Sequence, residues 1–506
     1  MSSSSSDLTV ALLREAFGPE AGELASKLIP WTSLPFSKIG HQYKTQLCIL
    51  IHHGFVRLVP PDSEYSLDQQ AVQRLVRVPR FLYAVKSTLG NEGETIFEEV
   101  FLAGRICISE TLKRAYSRLK DSNKSLTFTH LLDSFKSLIK HRFVKRISDD
   151  PVHQFLFPED KVDTQVLHKS VNDESFNIAF GDAAIFWSIN ANGFHSLFMN
   201  QIIICSCTRR FDASAGLLLK IFLEEVVSKE LEPVEHSKSL YQNQILSHLE
   251  ILQNETQKPR LKNFLSQYLN VITEDRTRFL NKIGDSGGGE YHINFKSLFE
   301  QLVHATFDNV VLEKFGSKAL RIFRVIRSHK RIEESALANL VMIPAKETKL
   351  LTYKLLENNF IQLQELRKSV ASNAVAKGFY LFYIDTDSVA RMVRELCFKA
   401  IGNCIFRKDH EFSIHQRLLD KQERMDTIIE NLKNSKELNE EELKYQITEV
   451  YEMLSPAERD SAKKIHNVLD KLTLATGQID ETLFLIDMYL FFHVKSVTPP
   501  CRVVCS

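Results

Sequence analysis

The chain has 506 residues, which suggests three or four domains at about 150 residues each. Glycine (18) and proline (14) are scarce, and this argues against a β-sandwich, a barrel or a collagen-like chain. The 44% share of hydrophobic residues argues against disorder. Because 64 basic residues face 63 acidic ones, the net charge of +1 creates no overall basic field. A nucleic-acid partner would therefore have to be recognised through local patches.

Eight cysteines lie at positions 48, 107, 205, 207, 397, 404, 501 and 505, and no two have C-x-x-C spacing. Cysteines this scattered predict buried or free thiols in a reducing compartment rather than disulfides or a zinc site. The amino terminus lacks the cationic start and apolar core of a secretory signal, and no apolar run is long enough to span a membrane. We therefore expect a soluble intracellular protein with no membrane contact, cofactor or metal.

One short pattern recurs along the chain: an apolar helical run, a few polar residues, then phenylalanine followed by an aliphatic residue. The four phenylalanines are Phe55, Phe143, Phe279 and Phe360. Residues before the phenylalanine repeat at helical spacing, and those after it alternate with the period of a strand. Two shorter helical segments precede each copy. Three helices followed by a hairpin are typical of a winged helix, whose third helix can enter a major groove.

The sequence thus predicts a mainly α protein with small β-hairpins (α+β), built from four tandem extended winged-helix modules and a C-terminal helical coiled-coil hairpin. The predicted modules are residues 1–70, 71–148, 193–296 and 297–387. The C-terminal helices are predicted at 388–495 and a tail at 496–506. Residues 149–192 are predicted to form an acidic linker, because 149–174 hold seven acids against two lysines, a net charge of −5.

The C-terminal region carries heptad spacing. Apolar residues step by four and three from Ile465 to Leu490, and Leu418, Met425 and Leu432 step by seven. This spacing indicates an antiparallel pair of helices, in which Gly477 allows either one bent helix or two abutting ones. The candidate partner interface is Ile465, Leu469, Leu472, Ile479, Leu483 and Ile486. Such a seam usually packs within its own chain, although a partner can complete it.

The string GDSGGG at 284–289 matches the surroundings of the nucleophile in chymotrypsin-like peptidases. That chemistry requires a histidine base and an orienting aspartate on a suitable scaffold, and a helix-rich chain does not predict a double β-barrel. The motif is therefore interpreted as the turn of a hairpin. His52 and His53 end a helix, where we expect them to cap carbonyls or face solvent. No phosphate loop or HExxH motif is present, so no catalytic residues are predicted.

Two local basic runs are candidate sites for double-stranded DNA. Residues 72–147 hold 15 lysines and arginines against 7 acids, a net charge of +8. On the predicted third helix and wing of this module lie Lys136, Lys140, Arg142, Lys145 and Arg146. The second run, with no acid between 317 and 332, is Lys318, Arg321, Arg324, Arg327, Lys330 and Arg331. We expect its apolar side to be buried, and contacts of either run with DNA to be sequence-independent and salt-sensitive.

Stretches over nearly the whole chain resemble one family. FHSLFMNQ, KIGDSGGGEYHIN, MIPAKETKLLTYKLLENNF and QIDETLFLIDMYL, in this order, are similar to the tandem winged-helix subunit of RNA polymerase III. The resemblance implies a non-catalytic, nuclear subunit on the clamp of the largest subunit, in a heterotrimer with two further subunits and near the initiation factor TFIIIB. It also implies promoter opening and initiation at tRNA and 5S rRNA genes, a likeness to the large subunit of TFIIE and, more weakly, cytosolic DNA sensing.

Two features depart from the family pattern. The segment PFSKIGHQYK in the first module is shorter, and the linker is acidic where relatives often carry a basic insert, so no DNA contact or nuclear-import signal is expected there. The alternative function is a purely protein-binding winged-helix scaffold without DNA contact. A hydrolase using Ser286 is the other rival.

Overall fold

The computed structural model describes residues 3–59, 64–120, 127–148, 154–158, 181–227, 235–253, 263–367, 378–434, 445–450 and 455–493. These residues are mainly helical, with small antiparallel sheets, as predicted. The chain divides into two compact units, residues 1–79 with 395–483 and residues 80–394 with the chain from 484 onward. The predicted tail and most of the predicted acidic linker lie outside the described residues.

The amino-terminal part of the first unit is a group of short helices around a three-stranded antiparallel sheet with the order β1-β3-β2. Its elements are α1 (Ser3–Phe17), α2 (Pro19–Leu28), β1 (Leu34–Pro35), α3 (Phe36–Ile39), α4 (Lys44–His52), β2 (Val56–Val59), β3 (Glu64–Leu67) and α5 (Gln69–Gln73). Gly18 and Gly40, at φ 89° and 94°, end α1 and α3, because glycine enters this region without a Cβ clash.

The rest of the first unit is residues 395–483, which include most of two long helices, α17 (Thr386–Asn434) and α18 (Pro456–His493). Met425 and Ile429 of α17 form a buried cluster with Val450, and Leu418 and Leu432 pack against it. The predicted seven-residue spacing on this helix is therefore confirmed as a core-facing stripe. α18 runs through Gly477 as one helix. In the same unit Arg77 donates to Asp480 over 2.9 Å, with both side chains buried.

The second unit begins with α6 (Val78–Ala103), which bends at Gly90 (φ 74°). It continues with α7 (Ile108–Leu119), α8 (Phe128–Lys140), β4 (Val144–Arg146) and β5 (Trp187–Ile189). β5 pairs antiparallel with β4, and Ile106 bridges to Trp187. The prediction that all of 149–192 is linker was therefore wrong: residues 187–189 complete the sheet of the second group, whose predicted end at 148 is too early.

The next group comprises α9 (Ala191–Arg210), α10 (Ala213–Val227), β6 (Leu240–Tyr241), α11 (Gln242–Gln253), α12 (Leu265–Glu274), β7 (Asn281–Gly284) and β8 (Glu290–His292). The strands form an antiparallel sheet with the order β6-β8-β7. The GDSGGG string joins β7 to β8, with Gly287, Gly288 and Gly289 all at positive φ. Its predicted position at a hairpin turn is confirmed.

The last group of the second unit has a three-stranded antiparallel sheet with the order β10-β11-β9. Its elements are α13 (Phe295–Phe315), α14 (Ser317–His329), β9 (Arg331–Glu333), α15 (Glu334–Val341), α16 (Ala345–Glu357), β10 (Gln362–Arg367) and β11 (Gly378–Tyr383). The basic run at 318–331 therefore begins on α14, the helix before β9, and not on the helix that precedes the β10–β11 hairpin.

Three of the four phenylalanines, Phe55, Phe143 and Phe360, directly follow helix ends of similar geometry, whereas Phe279 follows a turn after α12, which ends at Glu274. A residue with left-handed backbone precedes each of the four: Gly54, Arg142, Arg278 and Asn359. At the second copy the amide of Phe143 donates to the carbonyl of Leu138 over 3.0 Å, and that of Arg142 donates to Ile139 over 2.9 Å. These two bonds define a Schellman motif, which ends a helix and turns the chain into a strand. All four phenylalanines are buried.

Candidate nucleic-acid interface

The basic patch, defined as Lys136, Lys140, Arg142, Lys145 and Arg146, is built by α8 and β4. α8 is amphipathic, since Phe128, Leu131, Phe135, Leu138 and Ile139 are all buried on one side. The hydroxyl of Thr127 caps its first turn by accepting from the amide of His130. Lys136 and Lys140 are exposed on the other side of the helix. Their placement on a third helix agrees with the sequence prediction.

The left-handed residue Arg142 turns the chain from α8 into β4 and joins the two halves of the patch. Its carbonyl accepts from Nδ2 of Asn190 over 2.8 Å. Lys145 and Arg146 follow on β4, half-buried, in register with Ser188 and Trp187. The five cations therefore lie on one helix, its terminal turn and the strand that follows.

Two phenylalanines that the sequence analysis did not single out lie against the patch. The ring centroid of Phe157 is 5.1 Å from Nζ of Lys136, and that of Phe155 is 5.6 Å from the guanidinium carbon of Arg142. Cation–π contacts of this kind stabilise by about 0.5–1 kcal/mol at exposed sites. The sequence signal for them was an aromatic pair, FLF, inside an acidic stretch.

The patch keeps an uncompensated positive charge within the part of the chain that the structure describes. There, no ion pair joins Lys136, Lys140 or Arg146 to a carboxylate. His141 lies beside Lys140 with its ring stacked on Phe143. Burial, and then the charge of Lys140, lower the pKa of His141. The imidazole is consequently neutral at pH 7 and adds no charge there.

The basic stripe, defined as Lys318, Arg321, Arg324, Arg327, Lys330 and Arg331, has a different electrostatic setting. The buried side of α14 is formed as predicted by Leu320, Ile322, Phe323 and Ile326. Asp308 of the preceding helix α13 is buried, and its carboxylate accepts from Nε of Arg324 over 2.8 Å and from Nη1 of Arg327 over 2.9 Å. These two arginines therefore satisfy a buried acid of their own chain.

Of the remaining stripe residues, Lys318 and Arg321 contact groups of their own chain, and Lys330 and Arg331 lie at the surface. Nζ of Lys318 lies 2.6 Å from Oε1 of Glu347 on α16, and Nη1 of Arg321 donates to the carbonyl of Val341 over 3.4 Å. Lys330 and Arg331 are exposed at the start of β9. The absence of acids within 317–332 predicted a free cationic surface. In the structure, acids from other helices, Asp308 of α13 and Glu347 of α16, pair with part of the stripe.

The predicted partner interface on α18 lies largely in the interior. Ile465, Leu469, Leu483 and Ile486 are buried, while Leu472 and Ile479 are half-buried. A buried side chain has no surface to offer, so the prediction that these four contact a partner was wrong. The same helix exposes Val468 and Leu474, the latter with 67% of its surface accessible.

The polar groups that could support chemistry are used structurally. None of the six described cysteines forms a disulfide, and burial raises the pKa of Cys207 to about 12. His52 is exposed as predicted. His53 is the C-cap residue of α4, with its amide donating to the carbonyl of Ile49, and its ring packs against Phe17 and Phe55 instead of facing solvent. Burial, followed by the charge of His52, lowers the pKa of His53 to about 4.

The described residues contain neither a metal-binding cluster nor a membrane-spanning helix. No group of three or more histidine, cysteine, aspartate or glutamate side chains there could hold a metal ion. Among the helices of the described ranges, none is both long and apolar enough to cross a bilayer.

Comparison with known proteins gives three family matches within the chain. Residues 307–384 match the C-terminal winged-helix domain of POLR3C. Residues 417–485 match the helical hairpin domain of DNA-directed RNA polymerase III subunit RPC3, and residues 158–302 match RNA polymerase III subunit RPC82. The first two coincide with α13–β11 and with the paired helices α17 and α18.

Two relatives are similar over almost their whole length, and a third over part of it. DNA-directed RNA polymerase III subunit RPC3 of Rattus norvegicus is 30% identical, with 96% of this chain and 98% of the relative aligned. Its Homo sapiens counterpart is 29% identical over the same shares. The Dictyostelium discoideum subunit rpc3 is 24% identical over 48% of this chain and 38% of its own length.

Proposed function

This chain belongs to the RPC3 family of RNA polymerase III subunits, and from that membership we propose that it is a non-catalytic, nuclear subunit of the enzyme. Its role lies within RNA polymerase III, and other subunits of that polymerase are its partners. The non-catalytic assignment is supported by Ser286, which lies in an exposed glycine turn and not in a nucleophile environment.

The specific role that we propose is initiation. The subunit would form a heterotrimer with two further subunits on the clamp of the largest subunit, next to TFIIIB, and would support promoter opening at tRNA and 5S rRNA genes. The full-length similarity to RPC3 proteins supports this assignment. Cytosolic DNA sensing stays a prediction from the resemblance.

We also infer that the four helical groups are four tandem winged-helix modules followed by a coiled-coil hairpin. In three of the groups, three-stranded antiparallel sheets accompany the helices, and in the second a strand pair is extended by the Ile106 bridge. The common left-handed junction and its buried phenylalanine support one repeated design.

The single observation that carries a DNA-binding role is the exposed pair Lys136 and Lys140 on the third helix of the second module. The third helix is the element that a winged helix presents to the duplex, and lysines there provide phosphate contacts. Such contacts position the protein without selecting a sequence, which suits a subunit that acts at many promoters. We therefore assign nonspecific duplex contacts to the basic patch.

The fourth module favours a second role, contact with another polymerase subunit. The helix directly before its β10–β11 hairpin, α16, takes the place of the third helix of a winged helix. It exposes Leu350 and Tyr353 with 56% and 44% of their surfaces accessible, and Met342 in the turn before it is 86% accessible. Apolar groups grouped at the surface are typical of a protein contact. The exposed apolar groups of the fourth module thus support the alternative of a protein-binding scaffold for that module. The basic patch supports DNA binding by the second module.

The assembly is tested by purifying the tagged chain from nuclear extract and identifying the co-purifying chains by mass spectrometry. We expect the large polymerase III subunits in near-equal amounts, and recovery of none would overturn the proposal. Leu350→Glu should reduce recovery of one subunit, whereas Leu474→Glu on α18 serves as an exposed leucine control. Equal recovery with both variants would remove the role assigned to α16.

A further inference from the structure

The left-handed residue before each of the four buried phenylalanines differs among the modules in a way that backbone preference does not explain. Gly54 and Asn359 are residue types that adopt positive φ at low cost. Arg142 and Arg278 precede Phe143 and Phe279 at φ 59° and 49°, Arg142 at the end of α8 and Arg278 in the turn after α12. Arginine gains nothing from this backbone geometry, so a contribution from its side chain would account for its presence.

The turn of residues 275–278, between α12 and the buried Phe279, is called the corner, and it exposes two guanidinium groups. Phe279 is buried immediately after it and anchors the turn, while the Arg276 and Arg278 side chains are exposed. Within the described ranges neither guanidinium has a carboxylate partner. The two cations therefore remain free to meet an anion from outside the chain.

The acids of this corner are largely occupied. Asp275 accepts from Nη2 and Nε of Arg210 over 2.7 and 2.8 Å and also from the amide of Thr277. The hydrogen bonds from Arg210 hold the pKa of Asp275 well below its usual range. Asp285 is paired with Lys282. Glu274 remains as an exposed acid, which leaves two cations against one anion at the corner.

The helix before this corner, α12, ends at Glu274 and has an outer surface able to lie against a polar partner. α12 exposes Ser266, Gln267 and Asn270, whose side chains donate and accept hydrogen bonds, with Val271 beside them. The corresponding helix α16 exposes the apolar side chains of Leu350 and Tyr353 as well as Lys346 and Lys354. The third module therefore resembles the second in its charged corner and differs from the fourth, whose third helix exposes these two large apolar side chains.

We propose that Arg278, assisted by Arg276, forms a second duplex-binding site through contacts with backbone phosphates. Guanidinium groups bind phosphate oxygens through paired N–H donors, and a corner between the third helix and the wing can reach the strand that borders the groove. The proposal deepens the DNA-binding function assigned above and rests on it. It makes the left-handed arginine a binding residue held at some expense of stability.

The test is Arg278→Gly in the full chain, measured by thermal unfolding and by anisotropy of a labelled random-sequence DNA duplex over a salt series. Glycine relieves the left-handed backbone, so the melting temperature should rise or stay level, while affinity should fall about threefold to tenfold and the salt slope by about 0.9. Arg278→Lys should retain most of the affinity. Asn359→Gly is the matched control, expected to leave both affinity and slope unchanged.

The outcomes separate this site from the basic patch. If Arg278→Gly leaves affinity and slope unchanged while Lys136→Glu with Lys140→Glu lowers both, the duplex-binding function stands and the Arg278 site is wrong. If the native chain does not bind the duplex at all, the DNA-binding function itself is wrong. If Arg278→Gly lowers the melting temperature together with affinity, the arginine is structural and the proposal is overturned.

Discussion

The basic patch on α8 and β4 and the basic stripe on α14 contain similar numbers of cations but differ in what surrounds them. In the stripe, Arg324 and Arg327 converge on the buried carboxylate of Asp308. In the patch, Lys136 and Lys140 are exposed and, within the described chain, meet no carboxylate. A run of cations therefore indicates a binding surface only when the fold does not bring acids to it from other elements.

The largest effect should come from reversing charge in the stripe. Arg324→Glu with Arg327→Glu would leave Asp308 buried without partners and next to two new carboxylates. Removing the partner of a buried ion is expected to destabilise by about 3–5 kcal/mol. We predict a large fall in melting temperature, or no soluble protein, in thermal unfolding of the full chain.

Arg331→Glu is the control for that variant. Arg331 is an exposed residue of the same stripe on β9, where charge reversal should change stability by less than about 0.5 kcal/mol. A double variant that melts like the native chain but loses DNA affinity would return the stripe to the role of a DNA-binding surface.

The next effect is on DNA affinity and concerns the patch. Lys136→Glu with Lys140→Glu should leave the fold intact, since both side chains are exposed. If each lysine neutralises one phosphate, the salt slope should fall by about 1.8, and duplex affinity at low salt by at least about tenfold. Fluorescence anisotropy of a labelled duplex over a salt series measures both quantities.

Lys346→Glu with Lys354→Glu is the matched control, because both lysines are exposed on α16, the third helix of the fourth module. It applies the same change of charge to a helix assigned to protein contacts. An equal loss of affinity in the two double variants would mean that only net charge matters and that the patch is not a distinct site.

The smallest effect is a pH dependence carried by His141. Its pKa is lowered in the folded chain, so the ring is neutral at pH 7 and becomes charged only as the pH falls further. Phosphate favours the charged ring, and duplex affinity should therefore rise by about twofold to fivefold from about pH 7.5 to about pH 5.5. His141→Gln should flatten this rise in a pH series of the same binding assay.

The repeated helix-to-strand junction could be predicted because its signal is local. Phe143 and Phe360 follow helical runs directly, and the bonds that end those helices join residues three and five positions apart. The exposure of Lys136 and Lys140 was equally accessible, since it follows from the apolar spacing of α8. Local periodicity thus fixed the third helix of the second module and the cations on its outer surface.

The features that could not be predicted from the sequence depend on contacts between residues far apart in the chain. β5 is only three residues long and pairs with β4 across about 40 residues, so neither periodicity nor turn signals marked it. The pairing of Asp308 with Arg327 joins two helices, and a count of charges along one helix does not contain it. Burial of Ile465 and Leu483 likewise follows from packing, which the heptad spacing indicates without naming the neighbour.

The most direct test of the central claim places a photo-crosslinking residue at Lys140 and, separately, at Arg321 in polymerase III assembled on promoter DNA. The account predicts a DNA crosslink from position 140 and none from position 321. Crosslinks from position 140 to protein alone would contradict it, because the second module would then be a protein-binding scaffold and its basic patch would not contact the duplex.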